Sequence, residues 1–178
     1  MKKIIKNNDG SSAIWITAVI FFLLVVLATS FEYIRLNIIA KGTRDAMQTV
    51  ITQSCTANYD KLYNGLREGY SGGYKLDKNQ WGENIDNGNI ESLINKQLGT
   101  QKSGSGYVKH NEDKVEFEIS DLSVEMTNTP FAPNDTEDVP KFTGTAEYTL
   151  TVPLSFGWQG LPPMKIHMKA VSGYTAKF

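Results

Sequence analysis

The most decisive pattern comes near the start of the chain. From Ala13 to Phe31, AIWITAVIFFLLVVLATSF, nineteen residues run without a charge. At about 1.5 Å rise per residue a helix of that length spans roughly 29 Å, the hydrocarbon thickness of a bilayer. The run stops at Glu32 and Arg35. Ala28, Thr29 and Ser30 make a passable small-x-small cleavage site, which would release the rest as a secreted protein. A secretory apolar segment covers only about 7–15 residues, however, and this one is longer. Past Phe31, the residues Ile34, Ile38, Ala46 and Val50 recur near one helical face, with Glu32, Arg35 and Lys41 among the polar positions. The first proline is Pro130, and Gly42 is the weak point of the stretch, at about 1 kcal/mol. The pattern predicts one retained helix from about Ser12 to about Ala57.

The next segment is rich in Tyr and Gly and reads as an irregular connector with aromatic anchors. Ile90, Leu93, Ile94 and Leu98 then have helical spacing, with Asn89 as N-cap and Gly99 as stop. GTQKSGSGYVKHNED has the composition of a flexible loop. From Lys114 the period becomes two. Val115, Phe117 and Ile119 share one face, the phase slips, and Leu122, Val124 and Met126 take over, as at a bulge. Phe142, Ala146, Tyr148, Leu150, Val152, Leu154 and Phe156 alternate in a second strand region. Met164, Ile166, Met168, Ala170, Tyr174 and Phe178 do so in a last one. One-sided strands need a cover, and the apolar helices precede them. The expected fold class is α+β, with a long N-terminal helix extending into a domain of one short helix and three to four antiparallel strands. The expected divisions are a basic tip at 1–11, a span at 12–31, an amphipathic extension at 32–58 and a domain at 59–178.

Charge adds an orientation. Lys2, Lys3 and Lys6 against Asp9 give the first ten residues +2, so a net charge of −1 leaves −3 for the rest. Lysines on one side of the span place the N-terminus in the cytoplasm and the domain outside. A mildly acidic body argues against a nucleic-acid partner. The single cysteine, Cys55, excludes an intrachain disulfide.

Candidate chemistry is thin. His110 falls in a polar loop and His167 on the polar face of the last strand, between Lys165 and Lys169. Neither makes metal-ligand spacing with Cys55, which reads as a small residue near the helix end. Asp135, Glu137 and Asp138 offer oxygen ligands for calcium without the spacing of a dedicated loop, and a solvated connection is the plainer reading. No catalytic constellation, cofactor or small-molecule substrate is expected.

A basic tip, a glycine, an apolar helix, its amphipathic extension and a small sheet, in that order, resemble type IV pilin-like proteins. More narrowly, DGSSAIWITAVIFFLLVVLATSFEYIRLNIIAKGTRDAMQ resembles the N-terminal segment of the TadE-like family, pilin-like minor components of tight-adherence (Flp) pilus and secretion machinery. The match lies in Gly10 opening the helix, in Glu32, Tyr33 and Arg35 at its exit, and in the small and polar residues beyond. The resemblance implies leader cleavage between Gly10 and Ser11, and assembly contacts at Glu32, Tyr33 and Arg35. From the residues alone, Glu32 reads first as an ordinary residue at the water boundary. Counting from Ser11, the fifth residue is Trp15, where pilin-type processing usually meets glutamate; that departure suits a minor subunit. The implied function is a membrane-anchored structural subunit whose partners are the membrane and other pilin-like or assembly proteins. The rival is a single-pass extracytoplasmic binding module, with Tyr and Trp residues of 70–81 lining a ligand groove. A secreted hydrolase is the remotest reading.

Overall fold

The computed structural model describes residues 9–60, 72–87, 89–131, 141–155 and 161–174. One helix, α1 (Asp9–Asp60), carries the chain through the apolar run and onward without a break. It is long and apolar enough to cross a membrane, and none of its most apolar stretch is buried within the chain. Burial begins at Leu36. From there Ile39, Thr43, Met47, Val50, Ile51, Ser54, Cys55 and Asn58 are buried at spacings of three, four and one, a single packed face.

That face is not the one the sequence pattern suggested. Val50 lies on it and Ala46 beside it, but Ile34 and Ile38 are 52% and 66% exposed, on the opposite side. The extension carries two apolar stripes, and the sheet covers the longer one.

The cover is a five-stranded antiparallel meander of β3 (Gln101–Ser103), β4 (Gly106–Asn111), β5 (Lys114–Thr127), β6 (Phe142–Val152) and β7 (Met164–Tyr174), in that spatial order. Two earlier strands, β1 (Tyr74–Asp77) and β2 (Gln80–Glu83), form a separate hairpin. Between that hairpin and β3 lies α2 (Ile90–Leu98), capped by Asn89, whose side chain accepts from the Ser92 N–H, and stopped by Gly99 in the left-handed region. Phe117, Ile119, Phe142, Tyr148, Leu150 and Val152 fill the space between sheet and helices. Residues Phe156 and Phe178, placed with the strands above, lie outside the described residues.

The phase slip in β5 is real. Asp121 takes a positive φ of 53°, the pairing with β6 shifts between Ser120 and Ser123, and Leu122, Val124 and Met126 return to the inner side. An extra residue in a bulge has this effect on alternation.

Two expectations fail. The Gly/Ser-rich stretch after Gly99 is no loop: it forms β3 and β4, which raises the sheet from three or four strands to five. Tyr107 and Val108 are buried there, and Gly104 at φ 59° makes the turn between the two strands. The connector is likewise partly ordered into the β1–β2 hairpin, because Lys78 and Asn79 both take positive φ, the signature of a type I′ turn.

The helix seats on the sheet in a trough of small residues. Ala146 pairs with Ala170 across β6 and β7, and Gly144 with Ser172. Thr52 and Ser172 share a hydroxyl hydrogen bond of 2.6 Å, and the Gln48 Nε2 donates to the Val171 carbonyl at 3.4 Å. Near the helix end, the buried Asn58 side chain donates to the Asp86 carbonyl and accepts from the Asp86 N–H, holding the segment before α2 against α1.

Candidate functional site

The best-defined polar site lies where α1 leaves its apolar run. Glu32 and Arg35 are one helical turn apart, and their side chains meet at 2.7 Å. Strand β6 returns to this point at its end. Pro153 has no N–H to continue the ladder, and its carbonyl accepts from Arg35 Nη1 at 3.2 Å. Two residues on, the Ser155 N–H donates to Glu32 Oε1 at 2.9 Å. The Glu32 side chain is only 11% exposed and the Arg35 side chain 32%. The two charges thus form a clamp that ties the body to the helix exit.

Of the residues implicated by resemblance, Glu32 and Arg35 therefore come together, with their hydrogen bonds made inside the chain. Tyr33 stands apart: its ring is 70% exposed. Gly10 and Ser11 lie in the first turn of α1. Pro153 and Ser155 had no signal in the sequence, since they lie 118 to 123 residues from their partners.

The other candidates lie apart from this clamp. His110 is exposed on β4, and His167 Nδ1 lies 3.0 Å from the Thr149 hydroxyl on the outer face of the sheet. Asp121, Glu147, Thr149 and His167 border a shallow groove of about 400 Å³ there. Glu147 within it is paired to Lys169 at 2.8 Å. Cys55 is fully buried, and desolvation pushes its thiol up to about 11, so it is a poor nucleophile at neutral pH. Among the described residues no three His, Cys, Asp or Glu side chains converge as metal ligands. Asp135, Glu137 and Asp138 lie outside the described residues. Of the aromatic residues in the binding-module reading, Tyr74 and Trp81 pack on Phe131 at 4.9 and 5.9 Å between centroids. Tyr70 is outside the described residues.

The clamp joins the end of the apolar run of α1 to the folded body. No protein-family model, curated protein or solved structure matches this chain.

Proposed function

We propose that this chain is a membrane-anchored, pilin-like structural subunit of a tight-adherence-type pilus or secretion apparatus. The observation that carries this reading is the unbroken helix α1. Its first half is apolar and uncovered, while its second half supplies the core of the body. A soluble protein would expose that first half at great cost, whereas a bilayer or a helix bundle receives it. The lysines at 2, 3 and 6 set the N-terminus in the cytoplasm and the body outside. Function then comes from packing: the helix holds the subunit in the membrane or bundle, and the body presents its surface to partners.

The test is fractionation with protease access. The full chain is expected in the membrane pellet, and protease added to spheroplasts is expected to digest the part after Glu32. Affinity capture of the tagged chain from solubilised membranes should bring down other single-pass or pilin-like assembly proteins. A body recovered in the medium with a new N-terminus near Phe31 would overturn the anchored reading. A body that performs its biological task without the helix would favour the binding module.

A further inference from the structure

The connection from β6 to β7, residues 153–163, reads PLSFGWQGLPP and carries no charge. Strand β6 runs antiparallel to α1. It begins with Phe142 against Tyr59, passes Ile51 at Gly144, and ends with Pro153 at Arg35. From Pro153 to Ser155 the chain moves from Arg35 to Glu32, one helical turn nearer the apolar run. Val152 pairs with Met164, so the connection leaves and re-enters the sheet at one level. On the returning limb Leu161 is 47% exposed, and Pro162 and Pro163 are exposed beside it. The connection at the opposite end of the sheet, residues 128–141, has the reverse character: it carries Asp135, Glu137 and Asp138 against Lys141.

We infer that Leu161, Pro162 and Pro163 rest in the headgroup layer of the same bilayer that α1 crosses, as a second membrane contact made by the body. This rests on the membrane-anchored reading above and adds to it where the body lies. Depth decides the occupant. With residues 13–31 filling the hydrocarbon, Glu32 stands at its edge, and the headgroup layer beyond is about 5–8 Å thick. The Ser155 N–H, at 2.9 Å from the Glu32 carboxylate, already lies within that layer. Lipid is therefore the neighbour that the clamp itself supplies to an uncharged limb at this level. The other turn at this end of the sheet, between β4 and β5, carries Glu112 and Asp113 and lies on the side of β6 away from β7. The apolar contact is thus local to the exit of α1. A body held by one helix is free to tilt about that exit; with two contacts it stands at a set angle to the membrane.

The experiment uses the full chain in phosphatidylcholine vesicles, in a Cys55→Ser background. An environment-sensitive fluorophore is placed on Leu161→Cys and, as the distal control, on Leu76→Cys. Leu76 is 51% exposed on the hairpin whose base, Gly73, bonds to Asn58. Asn58 stands roughly 40 Å along the helix from Phe31. The Leu161 label should be quenched by a lipid carrying a nitroxide near the top of its acyl chain, and its iodide quenching constant should be about threefold or more below that of the Leu76 label. The Leu76 label should not respond to the nitroxide lipid. Leu161→Asp, with the label moved to Pro163→Cys, should restore iodide access and leave the circular dichroism melt unchanged. Equal iodide access at Leu161 and Leu76 would overturn the inference. So would protection from iodide without nitroxide quenching, or protection lost on diluting the chain into excess lipid, since protein rather than lipid would then cover the limb. Flotation separates the two readings. Chain that floats with the vesicles while its Leu161 label stays open to iodide loses the second contact and keeps the anchor; chain that does not float loses the anchor.

Discussion

Replacing Gly144 with alanine is the most direct test of how the helix sits on the sheet. Gly144 is buried on β6, and a Cβ there would intrude on Ile51 Cγ2 and touch Cys55 Sγ at 3.6 Å. Its φ is not positive, so alanine brings no backbone strain. Alanine should even gain about 0.4–1 kcal/mol by restricting the unfolded chain. Against that stands overpacking of a core contact, typically about 1–3 kcal/mol. The second effect wins because Ile51 is a fully buried, β-branched side chain on a helix, with one strongly preferred rotamer. The net loss should be about 1–2 kcal/mol, or about 2–8 °C in the melting midpoint for a chain of this size. Thermal circular dichroism on the detergent-solubilised full chain reads it. Gly82→Ala is the control, since a Cβ at Gly82 meets nothing within 4 Å. Ile51→Ala should cost about 2–5 kcal/mol alone. Combined with Gly144→Ala it should cost at least about 1 kcal/mol less than the sum, because the clashing methyl is gone. A Gly144→Ala variant as stable as the parent, with strictly additive double-mutant energies, would refute the close seating of α1 in the trough.

Three further outcomes are expected. Ile166→Asp or Met168→Asp, on the inner side of β7, should lower stability by about 2–3 kcal/mol, whereas His167→Ala on the outer side should stay within about 0.5 kcal/mol in the same melts. Glu32→Ala should cost only about 1–2 kcal/mol, since the pair is partly solvated, yet should speed hydrogen exchange at the Ser155 amide selectively; an unchanged Ser155 rate would argue against the clamp. Cys55 should resist alkylation at pH 8 until the chain unfolds. Because burial raises the folded thiol to about 11 from 9.0, the unfolded state releases this proton first. Stability should therefore be flat in this group below about pH 9 and fall between about 9 and 11, a slope that Cys55→Ala removes.

Local chemistry was legible in the sequence and long-range geometry was not. Asn89 and Gly99 bracket α2 because capping is settled within a few residues, and the slip after Ile119 foretells the bulge at Asp121 because alternation has only two phases. The β3–β4 hairpin was hidden by Ser103–Gly106, where turn residues outweigh the short apolar pair Tyr107 and Val108. The second half of α1 carries apolar residues on two sides, and only the position of the sheet decides which is buried. The clamp was half legible: Glu32 and Arg35 are a turn apart, but Pro153 and Ser155 join them only through the fold.

The placement of α1 at one end of the chain order and of its seat at the other has a consequence for biogenesis. Arg35 waits for Pro153, 118 residues later, and Thr52 for Ser172, 120 residues later. At about 5–20 residues per second, synthesis of that interval takes roughly 6–24 s. During that time the face bearing Met47, Val50 and Ile51 is already made and lacks the part of its cover that β6 and β7 supply. The strands that cover it, β6 and β7, are the last two described. Folding of the body is thus coupled to synthesis of β7. A translation product that stops before Met164 lacks β7 and leaves Gln48 and Thr52 without their partners Val171 and Ser172.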